Sequence, residues 1–266
     1  MRARINDIKM HYTISGKDTA PPVLLHHPLA TELSIWDELT AALEPHYRVI
    51  RLDARGHGQT DAPAGPYKME ALADDVIALL DHLGIQKTRY LGLSMGGFVG
   101  AVLGYRHPSR FHSLCLVSTS SNMSGAKEVW EGRIKTVQAE GMSKVIVEGS
   151  MQRWLSPGAF AAKPQLVARL SKMVADTPPA GFIGWCQAII NFNVTDRLKE
   201  IKIPVRIIAG AIDPATTPAM MQVMHKEIPG SEYVEIPGTA HMLHVEEPAL
   251  FHAEVLPFMA KHGPKD

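Results

Sequence analysis

The chain is poor in cysteine: Cys115 and Cys186 are its only two in 266 residues. They stand far apart, with no Cys-x-x-Cys or Cys/His spacing. Neither a disulfide framework nor a structural zinc is therefore expected, and both read as buried free thiols. There is no excess charge of either sign, since Lys plus Arg and Asp plus Glu number 27 each. That balance leaves no net field to draw in nucleic acid or an anionic membrane. The 13 histidines are scattered without metal-ligand spacing, so no metal is expected. No apolar run approaches the ~20 residues of a membrane span. The segment Met1 to Met10 carries basic residues without the apolar stretch of a signal peptide. Together these absences point to a cytoplasmic protein that needs no cofactor and whose partner is a small molecule; oligomeric state is left open. With 45% apolar and 20% charged residues the composition is that of an ordinary globular protein, long enough for one large domain carrying an insertion.

Several short apolar runs read as strands buried on both faces: Val23-Leu24-Leu25, Arg48 to Leu52, Arg89 to Leu93, Leu114 to Val117 and Val205 to Ala209. Residues 2–15 read as an opening hairpin broken near Asn6-Asp7, and Tyr233 to Ile236 as a last strand. Amphipathic spacing predicts helices over Trp36 to Leu43 and Met69 to Leu83, the latter closed by Gly84. Further helices are predicted after Ser94 as far as Pro108 and over Glu247 to Lys261. Strand and helix alternate, which argues for an α/β fold with a mostly parallel sheet covered on both faces. From 120 to 196 the alternation stops. Three of the four tryptophans lie there, in helical patterns interrupted by Gly141, Pro157, Pro164 and Pro178-Pro179. The stretch reads as a helical insertion lying over the sheet of a core made of 1–119 and 197–266. No internal repeat or low-complexity segment is present.

The richest stretch is Tyr90-Leu91-Gly92-Leu93-Ser94-Met95-Gly96-Gly97-Phe98. An apolar strand that runs through Gly-x-Ser-x-Gly into a helix forms a nucleophile elbow, a strained turn that exposes the serine hydroxyl. A serine at its ordinary pKa is a weak nucleophile and needs a base oriented by a carboxylate. Asp213, in Gly210-Ala211-Ile212-Asp213, and His241, in Pro237-Gly238-Thr239-Ala240-His241, each follow a predicted strand. Both therefore belong to the sheet edge from which Ser94 emerges. Other histidines fit less well as the base. His57 lies in a Gly-His-Gly turn, His244 at the start of the last helix, and His26, His27 and His107 have no carboxylate that sequence can place beside them. Acyl transfer also needs two donors for the oxyanion. The Met95 N–H follows the nucleophile. Pro28 has no N–H, so Leu29 is the nearest donor in the loop after Val23-Leu24-Leu25. In the insertion, Arg133 and Arg153 can each grip a carboxylate through two hydrogen bonds, or simply form a solvated face. Trp130, Trp154 and Trp185 are candidates for either pocket wall or packing.

These features resemble the α/β-hydrolase superfamily over essentially the whole chain. The resemblance is carried by His27-Pro28-Leu29 ahead of Trp36, Asp53-Ala54-Arg55-Gly56-His57-Gly58, Gly92 to Gly97, Gly210-x-x-Asp213, and His241 followed by Glu246 and Pro248. Within that superfamily, Leu29-Ala30-Thr31-Glu32-Leu33-Ser34-Ile35-Trp36 and Glu128-Val129-Trp130 with Arg133 and Glu140-Gly141-Met142 are most similar to 3-oxoadipate enol-lactonases and related esterases. The resemblance implies Ser94, Asp213 and His241 as a triad, Leu29 and Met95 as oxyanion donors, the helical insertion of 120–196 as a cap, and hydrolysis of a lactone or ester in aromatic catabolism. Two departures stand out: Pro28 replaces a glycine common at that position and Thr60 a usual serine. The triad is equally compatible with a general carboxylesterase or a carbon–carbon bond hydrolase. A receptor that retains the hydrolase fold is the alternative from outside enzymology, and steady turnover of an ester separates it from the rest.

Overall fold

The computed structural model describes residues 1–263; the last three residues of the expected core segment, 264–266, lie outside the described residues. Strands β1 (Arg2–Ile5) and β2 (Ile8–Ser15) form the hairpin. β2 then pairs antiparallel with β4 (Arg48–Leu52). From β4 onward every neighbouring pair is parallel, through β3 (Pro22–His26), β5 (Thr88–Leu93), β6 (Phe111–Val117), β7 (Val205–Gly210) and β8 (Glu232–Ile236). The sheet order is β1-β2-β4-β3-β5-β6-β7-β8. Every residue of β5 is buried, as are nearly all of β3, β6 and β7. That is why these segments are near-continuous apolar runs, whereas β2, with one face less covered, alternates.

Helices α1 (Asp37–Leu43), α2 (Met69–His82) and α3 (Met95–Arg106) connect the first parallel strands. A one-turn 3₁₀ segment, Leu33–Trp36, precedes α1, so the predicted helix begins one residue later than its pattern suggests. The chain builds β3, crosses to β4 on one side, and returns to β5 on the other. The crevice between β3 and β5 is thus the point where strand order reverses, the usual place for a ligand in an open α/β sheet.

Five helices fall between β6 and β7: α4 (Lys127–Glu140), α5 (Lys144–Trp154), α6 (Pro157–Ala162), α7 (Pro164–Asp176) and α8 (Pro179–Ile190). α4 packs on α8 and α5 on α7. Where the chain leaves and rejoins the sheet its two ends zip together, with Met123 N–H donating to Phe192 O and Val194 N–H to Ser121 O, both at 2.8 Å. Pro157, Pro164 and Pro179 each stand at a helix start rather than breaking a helix. A first-turn N–H has no intrahelical partner, so its loss there is harmless. Helices α9 (Pro218–Glu227), α10 (Leu243–Glu246) and α11 (Pro248–Lys261) complete the described chain. Among the described residues no helix is long and apolar enough to cross a membrane. Cys115 and Cys186 are free and buried.

Candidate active site

Ser94 sits between β5 and α3 with φ 53° and ψ −108°, a backbone region that residues with a Cβ avoid. Its surroundings hold it there. Ser94 N–H donates to Val117 O at 2.8 Å, and Ser94 O accepts from Phe98 N–H and from the Thr119 hydroxyl, each at 2.9 Å. The flanking glycines are sterically required: a Cβ on Gly92 would overlap Gly96 O, and one on Gly96 would overlap His26 O.

Asp213 follows β7 and His241 follows β8. The Asp213 carboxylate is fixed from several sides, with Oδ1 accepting from Ala215 N–H (2.7 Å) and Thr216 N–H (3.1 Å), and Oδ2 from the Thr216 hydroxyl (2.9 Å). Oδ2 also lies 2.8 Å from His241 Nδ1. Burial alone would raise the Asp213 pKa, but the neighbouring His241 and these donors outweigh it and hold the carboxyl below its ordinary value. With Nδ1–H committed to Asp213, His241 turns Nε2 towards the cavity as an acceptor. Ser94 and His241 line the same cavity. No direct hydrogen bond joins them in this structure, and such contacts commonly tighten only when substrate binds.

Pro28 and Leu29 form another part of the wall. Among the described residues neither the Leu29 nor the Met95 N–H donates to another group, so both are available to a ligand atom. Met95 opens α3, where the helix dipole favours negative charge.

The cavity measures roughly 310 Å³. Its roof comes from the inserted helices: Trp130 and Arg133 from α4, Ile146, Ser150, Arg153 and Trp154 from α5, Phe182 and Ile189 from α8. Both arginines face this space, and neither has a carboxylate partner among the described residues. Arg133 lies over the Trp130 ring, 4.2 Å from its centroid, a cation–π contact. Burial, with repulsion from Arg153 added, pushes the Arg133 pKa down to about 10, and burial lowers that of Arg153. The Ser150 hydroxyl is turned back onto Ile146 O at 2.7 Å. Apart from Thr216, the remainder of the lining is apolar.

Trp185 does not line this cavity. It is fully buried, its indole N–H donating to Arg55 O at 2.7 Å, because its face of α8 packs on the core. None of the other candidate histidines lines the cavity that holds Ser94. His57 and His244 are buried, which drives each to about 3, and His244 packs on Trp36 with ring centroids 4.7 Å apart. Burial likewise lowers His26 and His27. His107 sits near the surface, 3.5 Å from Asp74. Thr60, at the position where serine is usual, donates its hydroxyl to Asp53 O at 2.7 Å. Sequence reading missed Thr119 and Thr216. Asp213 followed three residues later by a threonine was the one usable signal, since aspartate often accepts from the backbone just ahead of it in such turns.

A sequence model of the alpha/beta hydrolase fold matches residues 21–248. The 3-oxoadipate enol-lactonase 2 of Acinetobacter baylyi is 35% identical over 249 residues, covering 94% of this chain and 92% of that protein. Among solved structures, an enol-lactonase from Burkholderia xenovorans superposes with a TM-score of 0.95 at 34% identity, over 98% of this chain and 100% of that one. A thermophilic esterase from Thermogutta terrifontis, with malate bound, gives a TM-score of 0.92 at 28% identity, over 99% of this chain and 100% of that one. A family match across residues 21–248 and relatives at 32% and 35% identity along at least 90% of the chain leave one assignment: this chain is an enzyme of the alpha/beta hydrolase fold family, similar to enol-lactonases and esterases.

Proposed function

We propose that the chain hydrolyses the ester bond of a lactone bearing a carboxylate, 3-oxoadipate enol-lactone being the best-fitting substrate. The observation that carries this reading is the pair of guanidinium groups of Arg133 and Arg153, without a carboxylate partner among the described residues, in the roof of the cavity that also holds Ser94 and His241. A partly buried cation without a counter-ion is costly to keep. A ligand carboxylate offsets that cost, and a guanidinium can take it with two hydrogen bonds.

In this mechanism Ser94 Oγ attacks the lactone carbonyl as His241 Nε2 takes its proton. Asp213 holds the imidazole in the required tautomer and stabilises the cation that forms. The N–H groups of Leu29 and Met95 receive the oxyanion. As the tetrahedral intermediate collapses, the ring C–O bond breaks, and His241 returns the proton to the departing enol oxygen. That oxygen stays tethered to the acyl group on Ser94. A water deprotonated by His241 then attacks the acyl carbon, and Ser94 leaves with the proton. The product is a dicarboxylate that ketonises at its enol carbon.

The inserted segment, residues 120–196, acts in this reading as the cap that selects substrate, with Trp130 and Trp154 as walls. Similarity to enol-lactonases of Acinetobacter baylyi and Burkholderia xenovorans supports the same substrate class. The buried free thiols suit a reducing cytoplasm. The test is a panel of acidic enol-lactones, neutral lactones and neutral aryl esters. We expect kcat/KM to be greatest for the acidic enol-lactones. Equal or better turnover of the neutral compounds would point instead to a general carboxylesterase, with the apolar lining setting preference.

A further inference from the structure

The loop that carries Leu29 is held by side chains that the mechanism above does not use. The Leu29 N–H belongs to the same peptide unit as the Pro28 carbonyl. That unit is trans, since the only cis bond among the described residues is Gly65-Pro66. In a planar trans peptide the N–H points opposite to the C=O. Whatever fixes Pro28 O therefore aims the Leu29 N–H.

Two buried donors fix it. Pro28 O accepts from the Thr31 hydroxyl at 2.8 Å and lies 2.8 Å from His27 Nδ1; the Thr31 oxygen is itself 3.4 Å from His27 Nδ1. The His27 tautomer is settled by its other nitrogen. Nε2 lies 2.9 Å from Ala54 N–H, and a backbone N–H only donates, so Nε2 is the acceptor and the proton of the neutral ring is on Nδ1. The next peptide is fixed in the same manner. Ala30, at φ 57°, donates its N–H to His57 Nε2 at 2.9 Å. The two rings lie 5.2 Å apart, and burial keeps both neutral. The loops 27–31 and 53–57 thus brace each other through one histidine from each. Pro28 adds a fixed φ and no competing N–H.

We propose that Thr31 and His27 are positioning residues, which aim and polarise the Leu29 N–H towards the oxyanion by holding Pro28 O. Two donors on the carbonyl of one peptide strengthen its N–H as a donor. The inference rests on the reading of the site as an ester hydrolase with Leu29 in the oxyanion hole.

The test uses p-nitrophenyl acetate turnover and the affinity of an aryl trifluoromethyl ketone, whose serine adduct carries the oxyanion. Thr31→Val removes a hydroxyl with little change in shape. It is expected to lower kcat about 10- to 100-fold, less than the ~10²–10³ of deleting a donor outright, with KM within about two-fold. Ketone affinity should fall in step, and Thr31→Ser should restore both. For His27 two variants separate its bonds. His27→Asn keeps a donor near Nδ1, and His27→Gln keeps an acceptor near Nε2. The Asn variant should retain about ten-fold more kcat than the Gln variant. Wild-type kcat in Thr31→Val, or a loss of kcat with unchanged ketone affinity, would overturn the proposal, as would His27→Gln equalling or exceeding His27→Asn. Failure of the underlying reading looks different: no ester turnover by the wild type, or turnover indifferent to Ser94→Ala, which removes the oxyanion and the proposal together.

Discussion

Replacing Arg133 should damage function and improve stability at once, because the same largely buried charge is responsible for both. Burial and the nearby Arg153 push its pKa well below the ordinary guanidinium value, down to about 10. A depression of that size disfavours the charged form in the folded protein by about 3 kcal/mol. Arg133→Met keeps the bulk over Trp130 and removes the charge. Against the gain stands the lost cation–π contact, worth about 1–2 kcal/mol at a partly desolvated site. A net stabilisation of about 1–2 kcal/mol follows, which raises Tm by roughly 2–8 °C in a domain of this size. For activity the balance reverses. Truncating one partner of a desolvated charge pair costs about 2–5 kcal/mol. With Arg153 still facing the cavity, the lower figure applies, about 30-fold in kcat/KM on an acidic enol-lactone. A neutral aryl ester should change less than about three-fold. Thermal denaturation and kcat/KM on both substrates, in wild type, Arg133→Met and Arg133→Ala, make the assay. An equal loss on the two substrates, or no loss on either, would reject Arg133 as the carboxylate anchor. A lower Tm in Arg133→Met would show that its charge is not a burden in the free enzyme.

The remaining predictions concern the base and the effect of acid. Asp213→Asn leaves Ala215 and Thr216 N–H an acceptor but removes the carboxylate that demands Nδ1–H of His241, so kcat should fall by about 10⁴-fold with the fold intact; a loss under ten-fold, measured on protein with a wild-type circular dichroism spectrum, would break that link. Stability should decline as pH falls below about 6.5, where unfolded histidines begin to bind protons. His57 and His244 have folded pKa values near 3, so between 6.5 and 3 the unfolded chain holds more protons and the native state is progressively disfavoured. Each contributes a slope of up to ~1.4 kcal/mol per pH unit. Urea titrations at successive pH values check this, and a flat profile from pH 7 to 5 would show that these rings are not buried neutral.

The elbow and the sheet were legible in the sequence because their constraints are local. Gly92 and Gly96 are required by backbone atoms a few residues away or on the next strand, and strands buried on both faces have no choice but to be apolar. The placement of Ser94, Asp213 and His241 could be read because each residue follows its own strand, and parallel strands deliver their carboxyl ends to one edge. The roof was harder to read. Trp130, Arg133 and Trp154 do face the cavity and Trp185 does not, yet all four sit in helical patterns of similar character. Which face of α8 meets the core is settled by packing against Arg55 and the histidine cluster, at positions remote in sequence. Prolines 157, 164 and 179 were read as interruptions and are helix starts, since a proline marks a boundary without saying on which side the helix lies. The bonds that fix Asp213 and Pro28 depend on single hydroxyl and ring atoms of Thr216, Thr31 and His27, for which composition and period carry no trace.

The central claim is that chemistry passes through the Ser94 hydroxyl, and kcat of Ser94→Ala on an acidic enol-lactone tests it most directly. The side chain is small and partly exposed at the turn, so the variant should fold as the wild type does while kcat falls by at least ~10⁴-fold. A correctly folded Ser94→Ala protein that keeps more than a few per cent of wild-type turnover would contradict the account.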